Sequence, residues 1–72
     1  MAKTTDNVIR ILRAGANISV DAEKVTTDNI IRIAKVAVEM NKVVTFRNLG
    51  NHTTDNILRI VNAGGDNVIL EI

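Results

Sequence analysis

Three segments of the chain carry apolar residues at helical spacing, and each begins with nearly the same eight letters. They read TTDNVIRI at residues 4–11, TTDNIIRI at 26–33 and TTDNILRI at 53–60. In the first segment Val8, Ile11 and Leu12 stand at i, i+3 and i+4, the spacing of one helical face. A threonine hydroxyl can accept from a free backbone N–H, and an aspartate suits the positive end of the helix dipole. Each copy therefore predicts the start of an amphipathic helix.

Alternating apolar residues follow each predicted helix. They are Ile18, Val20 and Ala22 after the first, Val44 and Phe46 after the second, and Val68, Leu70 and Ile72 after the third. Alternation with a period of two and many β-branched residues is typical of strands that bury one face. Glycines at Gly15 and at residues 64–65 should end the first and third helices by taking a left-handed conformation.

The alternation of helices and strands predicts the fold class. Helices that connect successive strands favour a parallel sheet with right-handed crossovers. Because only one side of each strand is apolar, all three helices should pack on that side and leave the other to solvent. We predict an α/β fold with one domain over residues 1–72. It has three helix–strand repeats, at about 4–25, 26–52 and 53–72, a parallel three-stranded sheet with helices on one face, and the form of a short solenoid.

Charged residues recur with the same spacing. Each repeat places an aspartate four residues before an arginine on its helix, which predicts the pairs Asp6–Arg10, Asp28–Arg32 and Asp55–Arg59. Such pairs contribute a few tenths of a kcal/mol each. Aligning the strands by their alternation also brings Asp21, Arg47 and Glu71 side by side in one row.

Composition narrows the range of functions. A chain of 72 residues buries only about 60% of its unfolded surface, and with no cysteine and one histidine it has neither a disulfide nor a zinc site of its own to support it. Packing or self-association should supply the remaining stability. A net charge of +1 exerts little pull on nucleic acid or acidic membranes. No apolar run reaches the length of a membrane span, and the cytoplasm is the default expectation.

Candidate chemistry is sparse. His52 lies in a loop with no patterned nucleophile beside it, which favours a turn or capping role. The glycines at 64–65 lie between a helix and a strand, the reverse of a phosphate loop. Asp21 and Glu71 are better explained as solvated charges than as paired catalytic carboxylates. We expect no catalytic residue, no metal site and no cofactor.

The middle repeat is longer than the others. Its helix carries about one extra turn, around residues 34–40, and is apolar well beyond one stripe. The shorter neighbouring helices should not reach this overhang, so we expect Val36, Val38 and Met40 to be exposed and to bury themselves against another molecule.

The segment Val44-Thr45-Phe46-Arg47-Asn48-Leu49-Gly50-Asn51, followed by Thr54-Asp55-Asn56-Ile57, resembles the strand, turn and helix start of a leucine-rich repeat of the ribonuclease-inhibitor type. The units are also similar in length to that family's repeats. This resemblance implies a solenoid shape and the binding of proteins, and it implies no enzymatic activity.

Two functions follow as expectations. The first is a non-enzymatic structural or interaction protein that forms homo-oligomers or filaments. It would associate through open terminal repeats, including Ile69 and Ile72, and through the surface of the second helix at Val36, Val38 and Met40. The alternative is a monomeric module that binds another protein with the polar sheet face, at Asp21, Thr45, Arg47 and Glu71. Nucleic-acid binding through Arg10, Arg32 and Arg59 is a distant third, because the chain lacks aromatic stacking platforms.

Overall fold

A computed structural model describes residues 4–72. The elements in chain order are α1 (Thr5–Arg13), β1 (Ile18–Asp21), α2 (Thr27–Met40), β2 (Val44–Arg47), α3 (Thr54–Gly64) and β3 (Val68–Leu70). Short 3-10 turns at Leu49–Asn51 and Gly65–Asn67 precede α3 and β3. The three strands are parallel and adjacent in the order β1-β2-β3. The predicted α/β fold with a parallel three-stranded sheet is therefore confirmed.

The helices begin where the repeated letters predict. The side-chain oxygens of Thr4, Thr26 and Thr53 accept from the backbone N–H groups of Asn7, Asn29 and Asn56 at 3.3, 3.3 and 3.2 Å. These caps satisfy N–H groups that have no partner within the helix. Gly15 and Gly65 take positive φ angles of 107° and 53° after α1 and α3. Gly65 has a ψ of −127° and so lies outside the left-handed region predicted for it, whereas Asn41 ends α2 in that region.

The sheet register agrees with the alignment of apolar residues. Val44 lies between Ile18 and Val68, Thr45 between Ser19 and Ile69, and Phe46 between Val20 and Leu70. Asp21 pairs with Arg47, as expected for the charged row. Glu71 follows the end of β3, where its backbone N–H still donates to the Phe46 carbonyl at 3.0 Å.

One core joins the helices to one side of the sheet. Phe46 is fully buried at its centre, with Leu12 from α1, Ile30 and Ile33 from α2, and Ile60 from α3. The residues on the other side of the strands are more open, and Ser19, Asp21 and Ile69 are exposed. Helix packing on the apolar side of the strands thus fixes which side of the sheet meets solvent.

The length of α2 is confirmed, but the predicted exposure of its last turns is only partly right. The helix has 14 residues, against 9 in α1 and 11 in α3. Val36 is only 8% exposed and belongs to the core, and Met40 packs against that core. The expectation overlooked the 3-10 turn Gly65–Asn67, which continues beyond α3 and also packs against α2. Val38, at 47%, is the member of the set that is exposed.

The close approach of α3 to β3 gives a test of the packing. A Cβ added at buried Gly64 would overlap the side chain of Val68. Gly64→Ala should lower the free energy of unfolding by about 1–3 kcal/mol, the usual cost of overpacking. Gly50→Ala is the matched control, because a Cβ there meets nothing within 4 Å. Its effect should be below about 1 kcal/mol. Urea unfolding measures both changes, and equal effects would contradict the packing at Gly64.

Candidate interaction surfaces

A ladder of ion pairs connects the three helices near their N-terminal ends. Nη2 of Arg32 lies 3.1 Å from Oδ1 of Asp6. Nη2 of Arg59 lies 3.3 Å from Oδ1 of Asp28. The predicted pairing within each helix is therefore wrong: Arg32 and Arg59 reach back to the aspartate of the preceding helix instead of the one four residues before them, and Arg10 is not paired with Asp6.

Each of these arginines is also hydrogen-bonded to an asparagine of its own helix. Nη1 of Arg10, Arg32 and Arg59 donates to Oδ1 of Asn7, Asn29 and Asn56 at 3.5, 3.2 and 3.3 Å. The guanidinium group has several donors in a fixed planar fork. In α2 and α3, one arm of that fork holds the arginine to its own helix while the other arm meets the previous one. In the repeated Asp-Asn dipeptide, the aspartate thus binds the arginine of the next helix, as Asp6 and Asp28 do, and the asparagine binds the arginine of its own helix.

The ladder has two open ends. Arg10 donates to Asn7, but within residues 4–72 it has no ion pair with a carboxylate. Asp55 occupies the position of Asp6 and Asp28 in α3, and within the same residues it has no ion pair with an arginine. An unpaired cation and an unpaired anion therefore lie on opposite outer sides of the row of helices.

Apolar residues are exposed beside each of these charges. Ile11 in α1 is 39% exposed, whereas the residues at the same repeat position, Ile33 and Ile60, are 1% and 0% exposed. Val61 in α3 is 40% exposed, whereas Leu12 and Ala34 at its repeat position are fully buried. The repeat position of Ile11 is therefore exposed only in α1, and the repeat position of Val61 is exposed only in α3.

Leu58 extends the exposed side of α3. It is 53% exposed, while Ile9 and Ile31 at the same repeat position are partly buried against the core. We call Arg10 and Ile11 the α1 end face, and Asp55, Leu58 and Val61 the α3 end face. The α1 end face also borders a shallow depression lined by Asn7, Arg10, Ile11 and Ala14.

Two asparagines link the strands just before they begin. Oδ1 of Asn17 accepts from the Val43 backbone N–H at 2.9 Å. Nδ2 of Asn67 donates to the Lys42 carbonyl at 2.9 Å. Neither residue was assigned a role from the sequence. Their identical placement one residue before β1 and one before β3 was the available signal.

The polar sheet face has its own hydrogen-bond network. Nε of Arg47 donates to Oγ of Ser19 at 2.8 Å. Oδ1 of Asp21 accepts from Nδ2 of Asn48 at 3.0 Å and from the Glu23 backbone N–H at 3.1 Å. The Asn48 hydrogen bond, then the Glu23 N–H, with a smaller contribution from the Arg47 charge, hold the pKa of Asp21 below its usual value.

Thr45 and Glu71 are the other two residues predicted for the polar sheet face. Thr45 is half-buried, and Glu71 is exposed beyond β3. A cavity of about 170 Å³ opens beside Asp21 and Arg47, and its remaining lining is Val8, Ser19, Val20, Val25 and Ile33. The structure therefore brings Asp21 and Arg47 together at one opening.

Several other candidate residues have structural partners. Nε2 of His52 donates to the Ala22 carbonyl at 2.9 Å, so Nδ1 faces the Thr27 hydroxyl, 3.4 Å away, as an acceptor. His52 thereby connects the segments that follow β1 and β2. Residues 4–72 contain no group of three or more histidine and acidic side chains that could hold a metal ion. Each helix described here falls short of the length and apolar content that a membrane crossing requires.

Of the residues predicted for self-association, those at the end of the chain are the most open. Ile69 and Ile72 are 51% and 88% exposed. Val38 is also exposed, and Val36 is not. The end faces on α1 and α3 were not identified residue by residue from the sequence, although aligning the three copies shows which positions share one environment.

Comparison with protein-family models, curated proteins and solved structures finds no match to this chain. Its function must therefore be argued from the surfaces just described.

The network around Asp21 predicts a specific pH dependence. Because the pKa of Asp21 is lower in the folded chain than in the unfolded chain, its ionised form stabilises the fold above about pH 4. This stabilisation is lost as the pH falls through the folded-state pKa. Asp21→Asn keeps a side-chain oxygen for both hydrogen bonds and removes the titration. Between pH 6 and pH 3 it should therefore lose less unfolding free energy than the wild type.

Urea unfolding at several pH values measures this difference. Asp66→Asn, at an exposed aspartate in the turn Gly65–Asn67, is the control for removing one carboxylate. A drop in Asp21→Asn as large as that of the wild type would show that Asp21 contributes nothing to acid sensitivity.

Proposed function

We propose that this chain is a short α/β solenoid that acts as a non-enzymatic interaction protein and associates with copies of itself through its terminal repeats. The observation that carries the proposal is the exposure of Ile11 on α1 and of Leu58 and Val61 on α3. At the same repeat positions, residues of the flanked middle helix are buried or packed against the core. Within residues 4–72, α1 and α3 therefore expose apolar residues at positions that neighbouring helices cover in α2.

Energetic considerations support a contact at these faces. Covering the exposed part of each of these side chains contributes about 1 kcal/mol. Exposed apolar patches on small proteins commonly mark contacts with other molecules. Stacked repeats are stabilised by contacts with their nearest neighbours, so covering these faces should also strengthen the fold. The exposed Ile69 on β3, an edge strand of the sheet, belongs to the same proposal.

The architecture resembles a leucine-rich-repeat solenoid, and we extend that resemblance only to shape and to protein binding. The regular pairing of β1, β2 and β3 supports a stack of similar units. The surface of α2, first expected to contribute, is left out of this proposal, because Val36 is in the core, Met40 is partly buried and Val38 is the one exposed member of the set.

A charge introduced at the α3 end face should weaken self-association. Leu58→Glu is expected to raise the dissociation constant at least about tenfold, which corresponds to about 1.4 kcal/mol. Val38→Glu is the matched control, since it makes a similar change at a residue of similar exposure, 47% against 53%, on the middle helix. Light scattering or sedimentation over a range of concentrations measures both. An effect confined to Val38→Glu would place the contact on α2 instead.

The polar sheet face supports a second candidate function, the binding of a different protein by a monomer. The observation that favours it is the in-register pair of Asp21 and Arg47 beside the opening of the 170 Å³ cavity. Nucleic acid has less support as a partner, because Arg32 and Arg59 already pair with aspartates.

Reversing one charge separates the two functions. Arg47→Glu should abolish binding of a protein that docks on the sheet face, and it should leave self-association unchanged. Lys35→Glu, at an exposed residue of α2, is the control for reversing a positive charge. Affinity capture followed by titration of the purified partner gives the measurement. Partner binding that survives Arg47→Glu and fails in Lys35→Glu would exclude the sheet face.

A further inference from the structure

Building on the self-association proposed above, we infer that unlike ends meet. The α1 end face of one copy stacks on the α3 end face of the next, in the arrangement that α2 has with α1 and α3 has with α2 within a single chain. Repetition of this contact produces a polar, head-to-tail filament. Three separate features of the two ends fit this arrangement, and two of them, the charges and the asparagine amides, distinguish it from a like-with-like contact.

The ion-pair ladder is the first feature. Each arginine reaches back to the aspartate of the preceding helix, as in Arg32–Asp6 and Arg59–Asp28. Arg10 has the same fork on Asn7 and lacks that aspartate among residues 4–72, while Asp55 lacks the following arginine. Placing α1 of the next copy after α3 gives Arg10 the carboxylate of Asp55. A contact between two α1 faces or two α3 faces would instead leave Arg10 and Asp55 without each other as partners.

The asparagine amides are the second feature. The backbone N–H of Val43 is a donor, so the side-chain atom of Asn17 that faces it is the carbonyl oxygen Oδ1. The backbone carbonyl of Lys42 is an acceptor, so the side-chain atom of Asn67 that faces it is the amide nitrogen Nδ2. Within residues 4–72, the amide donor of Asn17, beside the edge strand β1, and the carbonyl acceptor of Asn67, beside the edge strand β3, therefore remain available for other partners. A donor at one end and an acceptor at the other suit a head-to-tail junction.

The apolar residues are the third feature. Ile33 and Ile60 are buried, whereas Ile11 is exposed in α1, the helix with no preceding neighbour among residues 4–72; we therefore assign this position to the side that faces the preceding helix. Leu12 and Ala34 are buried, whereas Val61 is exposed in α3, which has no following helix among these residues; we assign this position to the side that faces the following helix. Stacking α1 after α3 covers Ile11 with Leu58 and Val61, and it repeats the packing already present twice in the chain.

The junction contains one unfavourable contact. If β3 pairs with β1 of the next copy in the register seen within the sheet, Glu71 lies beside Asp21 of that copy, because both align with Arg47. Adjacent like charges on neighbouring strands are destabilising. Glu71→Gln should therefore strengthen the assembly about two- to fivefold. A weaker assembly in this variant would contradict the continuous register.

Complementation between blocked ends tests the polarity directly. Ile11→Glu blocks the α1 end face, and Leu58→Glu blocks the α3 end face; both residues are exposed in the single chain, so each variant should fold. Each variant alone should remain monomeric at concentrations where the wild type assembles. An equimolar mixture should form dimers of one copy of each variant and grow no further, because only one intact junction remains. Sedimentation velocity and native mass spectrometry distinguish these species.

Charge reversal tests the ladder. Arg10→Asp and Asp55→Arg should each weaken self-association about three- to tenfold, the range expected for replacing an exposed ion pair by like charges. Mixing the two variants restores opposite charges at every junction and should recover assembly. In a symmetric dimer of α3 faces, by contrast, Arg10→Asp would have no effect. Circular dichroism confirms that each variant is folded.

The outcomes separate this inference from the proposed function. A wild-type chain that stays monomeric at millimolar concentration overturns both. A wild-type chain that assembles while Ile11→Glu assembles equally well, or while neither mixture forms mixed species, overturns the head-to-tail junction and leaves self-association standing. Mixed dimers from the blocked variants together with recovery of assembly in the charge-reversed mixture support the inference.

Discussion

A helix in this fold is fully packed only when it has a neighbour on each side. The sheet covers one face, and adjacent helices must cover the two flanks. Only α2 meets this condition within residues 4–72, and it supplies five of the buried residues of the helices: Ile30, Ile33, Ala34, Val36 and Ala37. The exposed positions on α1 and α3, the open ends of the ion-pair ladder and the unpaired edges of β1 and β3 all follow from this constraint.

Much of the fold was readable in the sequence because it depends on local signals. Threonine caps require only the residues of one turn, and they appear at Thr4, Thr26 and Thr53 as expected. The sheet register followed from alternation, since a slip by one residue would move Val44 and Phe46 from the core to solvent. The extra turn of α2 also followed from spacing alone.

The failures concern which neighbour a side chain meets. Spacing permitted Asp28 to pair with Arg32, but it held no information about the distance to the adjacent helix, and Arg32 binds Asp6 instead. Val36 was expected to lie beyond the neighbouring helices, but α3 continues to Gly64, which matches Ala37 in the repeat alignment, and Val36 is in the core. The links made by Asn17 and Asn67 depend on strands distant in sequence. These contacts lie between repeats, and only the packed arrangement determines them.

The two-sided packing of α2 has a consequence for the order in which parts of the molecule open. Stacked repeats are held by nearest-neighbour contacts, so the terminal units fray at lower free energy than the unit between them. Backbone amides of α2 should therefore exchange with solvent deuterium last, and those of α1 and α3 earlier. Under the self-association proposed above, raising the protein concentration should slow exchange in α1 and α3 while leaving α2 nearly unchanged, so the difference in protection between the terminal helices and α2 becomes smaller.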